Sequence, residues 1–148
     1  PLLVAGRALW SAVGAVLLAV TSAVSLGRGA QIYAENVQLI NGCQVDTALW
    51  LRAHTAPGAL FATHDIGAIG YFGGHPLVDL AGLVDPQVVP LLSDQPKLEG
   101  CLARRHVRYV IEFTDWFGPP NVLARDLGSS QVYHSRAVSN FVVLQADW

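Results

Sequence analysis

Hydrophobic positions form one long unbroken run near the start of the chain and shorter periodic stretches after it. Residues 8–26 contain no charged side chain, and Arg7 and Arg28 bracket the run. As a helix, such a segment spans about 28 Å, which is close to the hydrocarbon thickness of a bilayer. Trp10 lies one turn inside the run, where interfacial aromatic residues are enriched. The pattern predicts a transmembrane helix within residues 1–28, and we expect residues 8–26 to contact the lipid bilayer.

Two other interpretations of this run stay open. A cleaved signal peptide needs a basic end, a shorter apolar core and small residues before the cleavage point, and Arg7 and residues 21–25 meet those needs. A buried helix of a soluble protein is the third interpretation, which the length of the uncharged run disfavours. The sequence contains no methionine. We therefore expect a piece of a longer polytopic protein, with this helix as its last span.

Shorter elements follow the glycines at positions 27 and 29, which we expect to break the helix. Residues 33–54 have an imperfect amphipathic pattern with a kink expected at Gly42, and a further helix is predicted at residues 66–72. Ser93 and Asp94 are predicted to cap another helix that reaches Arg105. Short apolar or alternating segments predict five strands, at residues 59–63, 77–80, 107–113, 131–136 and 140–146.

The order of these elements predicts the fold. A helix between the first two strands is typical of a parallel crossover, whereas the last two strands are close enough for an antiparallel hairpin. We predict an α/β fold: a small three-layer sheet with a parallel core and an antiparallel edge hairpin, preceded by one transmembrane helix. Right-handed crossovers give the strand order second–first–third. Residues 29–148 form this domain.

Composition and charge exclude several classes of function. Hydrophobic residues make up 52% of the chain, charged residues 14%, and the net charge is −2. The longest basic run is residues 104–108. Nucleic-acid binding needs a larger cationic cluster than this, so we expect no nucleic-acid partner. Phosphate-binding, dinucleotide-binding and nucleophile-elbow motifs are missing from the sequence, and we expect no cofactor. Two isolated cysteines do not make a zinc site, so no metal is expected.

The chain contains two cysteines, Cys43 and Cys101, which could form one disulfide bond. If the helix that contains Cys101 shares a face of the sheet with the first helix of the domain, the two thiols could meet. In an oxidising compartment we then predict a Cys43–Cys101 disulfide. The alternative is two buried free thiols.

Polar side chains follow the predicted parallel strands, at the edge of the sheet where ligands of such folds bind. They are His64, Asp65, Asp79, Asp115 and Trp116. The acids are suited to a metal ion or a sugar, and Trp116 to stacking on a ring. The competing interpretation is structural: Asp65 and Asp85 cap helices, Asp79 closes a turn, and Trp116 covers the core.

Two segments, residues 65–72 (DIGAIGYF) and 77–86 (LVDLAGLVDP), together resemble the C-terminal extracytoplasmic domain of bacterial polytopic membrane proteins of the GT-C glycosyltransferase type. The preceding membrane helix, the Trp50-Leu51 pair and residues 108–111 (RYVI) are also similar to that context. The likeness covers residues 33–116. The superfamily includes mannosyl- and arabinosyltransferases that use lipid-linked sugars.

The resemblance implies an accessory domain of such a transferase on the extracytoplasmic side of a bacterial cell membrane. The transferase uses a lipid-linked sugar donor, and the domain is expected to help bind the cell-envelope glycan acceptor or to shape the entrance of the active site. The catalytic acids of that superfamily lie in an early extracytoplasmic loop that this chain does not contain, so no catalytic residue is expected here. A stand-alone membrane-anchored or secreted module that binds a sugar or a peptide is the alternative. A small hydrolase that uses His64, Asp65 and Asp79 is a third hypothesis.

Overall fold

The computed structural model describes residues 2–114 and 130–148, with side chains from residue 10 onward. The chain divides into two compact units, Pro1–Gln38 and Leu39–Trp148. The first unit lies within one helix, α1 (Leu2–Ile40), whose described side chains are all exposed. Among the described residues, one helical stretch, Trp10–His54, is long and apolar enough to cross a membrane. This agrees with the predicted N-terminal span and indicates membrane attachment.

The predicted helix break at residues 27–29 is wrong, because α1 continues through both glycines. A glycine inside a helix costs only about 1 kcal/mol relative to alanine, and the helix-forming residues on either side outweigh that cost. The irregularity occurs at Gly42 instead, where a kink was expected. There a π-helical segment, Asn41–Val45, joins α1 to α2 (Asp46–His54). The boundary between the units accordingly lies near residue 38.

The Leu39–Trp148 unit is built on one five-stranded sheet. Its strands are β1 (Phe61–Thr63), β2 (Leu77–Asp79), β3 (Tyr109–Phe113), β4 (Ser130–His134) and β5 (Phe141–Gln145). Their order across the sheet is β2-β1-β3-β5-β4. Strand β1 pairs in parallel with β2 and β3, and β5 pairs antiparallel with β3 and β4. The predicted parallel core, antiparallel hairpin and second–first–third order are confirmed.

Helices cover both faces of the sheet, as the three-layer prediction requires. The first crossover helix is α3 (Ile66–Gly73) and the second is α4 (Gln95–Arg104). Successive strand residues point to opposite faces, and they separate the core into two clusters. Ala62 and Val110 pack with Leu102 of α4 on one face. Phe61, Ile111 and Phe141 pack on the other face with Leu51 of α2 and Ile69 of α3.

This layering corrects the predicted disulfide. Both Cys43 and Cys101 are buried free thiols. Cys43 belongs to the cluster that contains Leu51 and Phe61, whereas Cys101 lies on α4, whose Leu102 packs against the opposite face. The sheet lies between the two cysteines, because α2 packs with α3 on one face of the sheet and α4 packs on the other face. The Cys43–Cys101 pairing is therefore wrong, and the alternative of two buried thiols fits.

Candidate functional site

The parallel register brings the ends of β1, β2 and β3 to one edge of the sheet. Thr63 is the register partner of both Asp79 on β2 and Ile111 on β3. His64 and Asp65 follow directly after β1, as the sequence predicts. Asp115 and Trp116 lie outside the described residues. We call this edge the strand-end site.

Asp79 closes the turn after β2. Its side chain is completely buried, and its two carboxylate oxygens accept hydrogen bonds from the backbone N–H groups of Ala81 at 2.8 Å and Val84 at 2.7 Å. A carboxylate that accepts two backbone bonds is satisfied within the fold. Asp79 thus has the turn-closing role that the structural interpretation gave it, and it presents no oxygen to a ligand.

Asp65 occupies the N-cap position of α3, but its side chain does not cap the helix. Its Oδ2 accepts a hydrogen bond from Nε2 of Gln44, a buried residue of the π-helical segment. Asp85 similarly forms an ion pair with the Arg105 guanidinium, and the short helix that follows it, Val89–Leu91, has Val88 at its N-cap and no side-chain cap. Both carboxylates therefore bind side chains that are distant in sequence, and neither has the helix-capping role that the sequence suggested. The Asp65 side chain keeps one third of its surface exposed.

His64 lies next to Asp65 and is almost completely buried. Its side chain is 5% exposed, its Nε2 is 4.0 Å from Oδ2 of Asp65, and its ring lies 5.7 Å from that of Phe113. Burial lowers the pKa of His64, and the nearby Asp65 carboxylate partly opposes that shift. His64 is therefore a neutral imidazole at neutral pH, in contact with the core and with little access for a substrate.

Cys43 completes this group from the π-helical segment, and it was not among the candidates for the strand-end site. It is 1% exposed. Burial raises the pKa of its thiol; a hydrogen bond with Ser135 opposes the shift and the Asp65 charge adds to it. A protonated, buried thiol is a poor nucleophile. Within residues 2–114 and 130–148, moreover, no three metal-binding side chains are grouped to hold an ion.

A concave site lies instead where α2 meets β4. Asp46 and Trp50 of α2, Tyr133 of β4 and Arg136 after it line a cavity of about 230 Å³. We call this the α2–β4 pocket. The Trp50 ring stacks on that of Tyr133 with centroids 4.6 Å apart, and also on His54 at 4.7 Å.

Sequence reasoning missed this pocket. The local signal was available, since Asp46 and Trp50 are four residues apart and share one face of α2. Its other wall comes from β4, however, and only the strand order places that hairpin beside α2.

Comparison with known families adds one finding. A family model described as a domain of unknown function (DUF8728) matches residues 30–148. The chain belongs to this family. The DUF8728 match covers the whole Leu39–Trp148 unit and only the end of α1, so residues 8–26 fall outside it. No curated protein and no solved structure matches the chain.

Proposed function

We propose that the DUF8728 domain of this chain is a non-catalytic accessory module on the extracytoplasmic side of a bacterial cell membrane. In this proposal, the domain is part of a GT-C-like membrane glycosyltransferase that transfers sugar from a lipid-linked donor to a cell-envelope glycan, and α1 contains the last membrane span of that protein. The proposal that the domain is non-catalytic is supported by the hydrogen bonds that the acids of the strand-end site make within the fold. Both carboxylate oxygens of Asp79 accept hydrogen bonds from backbone N–H groups, and the Asp65 carboxylate accepts one from the Gln44 side chain.

A hydrolase that uses His64, Asp65 and Asp79 needs a base within reach of a substrate. His64 and Asp79 are both buried, which argues against such a mechanism. The membrane part of the proposal is supported by α1, whose uncharged residues 8–26 expose every described side chain. An exposed apolar helix of this length is stable in lipid and costly in water.

A stand-alone binding module is the second candidate. The α2–β4 pocket favours it, because aromatic side chains and charged groups line one concave surface. The two candidates differ in what surrounds the domain. If the full-length protein has one membrane helix, the stand-alone module is the better description; further spans with an acidic pair in the first extracytoplasmic loop support the accessory role.

The side of the membrane is tested with a reporter cysteine. Because Cys43 and Cys101 are buried, an exposed Ala56→Cys substitution introduces a thiol of much higher reactivity. We expect a membrane-impermeant maleimide to label A56C in intact spheroplasts. The unsubstituted chain is the control for background labelling. Labelling that appears only after lysis would place the domain in the cytoplasm and overturn this part of the proposal.

The accessory role is tested by transfer activity. In membranes that contain the full-length protein, we expect Asp65→Asn to retain sugar transfer from a lipid-linked donor within about threefold, since no catalytic step uses Asp65. The matched control is an acid-to-amide substitution in the first extracytoplasmic loop, which should abolish transfer. Loss of transfer in D65N with an intact fold, by thermal unfolding, would contradict a non-catalytic module.

A further inference from the structure

The α2–β4 pocket is lined by groups of different chemistry on several sides. Asp46 can only accept hydrogen bonds when ionised, and Arg136 can only donate them. Both side chains are exposed; Asp46 lies on α2, and Arg136 lies in the turn between β4 and β5. In the part of the chain that the structure describes, no ion pair joins them. A ligand in the pocket therefore meets a carboxylate and a guanidinium that are not paired with each other.

The remaining walls of the pocket are aromatic. Trp50 and Tyr133 are each partly buried, and their rings are inclined by only 23°. Stacked rings offer a rigid apolar surface at low cost in side-chain entropy. Such a surface suits a ligand with an apolar side and polar edges.

The size of the pocket limits the ligand to one small unit. Its volume is about 230 Å³, below the range of roughly 300–1,000 Å³ that is typical of sites for drug-sized ligands. An oligomer would have to extend into solvent beyond it.

We propose that the α2–β4 pocket binds a single saccharide residue. Hydroxyl groups both donate and accept hydrogen bonds, so neighbouring hydroxyls can donate to Asp46 and accept from Arg136. The C–H groups of the pyranose or furanose ring then pack on the part of Tyr133 that the Trp50 ring does not cover. A zwitterionic amino acid matches the two charges as well. The choice of a saccharide over that ligand rests on the proposed function, and the experiment includes both.

Binding is measured on the full chain in a zwitterionic detergent without a sugar headgroup, because a maltoside would compete for the site. The probes are methyl α-D-mannopyranoside, methyl α-D-arabinofuranoside and L-alanine, detected by saturation-transfer difference NMR. We expect at least one glycoside to give a saturable signal and L-alanine to give none.

Pocket variants locate the site. Asp46→Asn and Arg136→Gln should each weaken glycoside binding by about fivefold to tenfold, the effect of losing one hydrogen bond to a charged group. Asp147→Asn and Arg108→Gln change exposed residues outside the pocket and should alter binding by less than twofold. Tyr133→Leu removes an aromatic wall, and Tyr71→Leu is its control, since Tyr71 is 82% exposed on α3. Thermal unfolding of each variant shows whether the fold is intact.

Three outcomes would overturn the inference. They are no signal from either glycoside, binding that D46N and R136Q leave unchanged, and binding of L-alanine in place of the glycosides. Each of these leaves the membrane topology and transfer tests unaffected. Conversely, glycoside binding that depends on Asp46 in a protein without transfer activity keeps the pocket and removes only the accessory role.

Discussion

Among single residues, Asp79 is the clearest example of an acidic side chain that stabilises the fold. We expect Asp79→Asn to lower the free energy of unfolding by about 2 kcal/mol, because the amide nitrogen faces a backbone N–H and leaves that buried donor without an acceptor. Denaturant unfolding of the full chain in detergent measures this loss. Asp147→Asn, at an exposed position, is the control and should change stability by less than about 0.5 kcal/mol. Equal effects of the two substitutions would contradict the role assigned to Asp79.

His64 makes stability depend on pH. Burial lowers its pKa in the folded protein from the ordinary value of 6.5. As the pH falls below 6.5, the unfolded chain takes up a proton at His64 while the folded chain does not, so protons favour unfolding. Stability is therefore fully present above about pH 6.5 and is lost as the pH falls through the lower folded pKa.

We expect the midpoint of thermal unfolding to fall between pH 7.5 and pH 5, and to fall less in His64→Gln, which does not titrate in this range. His106→Gln is the control, because His106 is exposed. A pH dependence that is the same in H64Q and in the unsubstituted chain would show that other groups cause the fall.

At the scale of elements, the π-helical segment is the junction between α1 and the sheet. Ser135 Oγ donates a hydrogen bond to the Gly42 carbonyl at 3.1 Å, and Gln44 bonds to Asp65. A Cβ atom at position 42 would lie 2.9 Å from Cβ of Ala137. The backbones approach so closely here that only glycine fits without a shift.

We expect Gly42→Ala to destabilise the domain by about 1–3 kcal/mol through overpacking, as measured by denaturant unfolding. The additional substitution Ala137→Gly removes the clashing methyl group and should restore much of that loss. Gly67→Ala on α3 is the control: its Cβ would meet nothing within 4 Å, so the change should be neutral or stabilising. Failure of A137G to rescue G42A would mean that the cost arises from the π-helical backbone itself.

The elements that sequence reasoning predicted well are those with local signals. The alternating segment at residues 107–113 contains β3, a helix lies between β1 and β2, and Asp94 caps α4 by accepting a hydrogen bond from Lys97 N at 3.3 Å. These features depend on periodicity and capping, which short stretches of sequence contain. The parallel order of the first three strands followed from the handedness of crossovers.

The errors arose where distant parts of the chain decide the outcome. Asp65 was predicted as a helix cap from its position, yet Gln44, distant in sequence, supplies its partner. The α2–β4 pocket needs the hairpin beside α2, and the disulfide was wrong because α2 packs with α3. No local pattern specifies which helix shares a face of the sheet, so the candidate site was the least predictable part.

In the molecule as a whole, the two units differ in how much of their apolar surface is exposed. The Leu39–Trp148 unit buries its core on both faces of the sheet, whereas the described side chains of α1 are all exposed. The globular unit still exposes some large apolar side chains, among them Leu83 at 77% and Val84 at 68%. Exposed apolar side chains are common on soluble domains, because apolar atoms contribute much of the surface of any folded domain. Membrane association is therefore expected to depend on residues 8–26 rather than on the globular unit.

We expect the full chain to stay in the membrane fraction after alkaline carbonate extraction, and residues 30–148 expressed alone to appear in the soluble fraction. Two charges at the centre of the span, in the double variant Val16→Arg and Leu17→Arg, should release the full chain, because each arginine costs roughly 3 kcal/mol there. Leu83→Arg with Val84→Arg is the matched control and should leave the chain membrane-bound. Retention of residues 30–148 on membranes, abolished by that control pair, would show that the globular unit itself binds lipid.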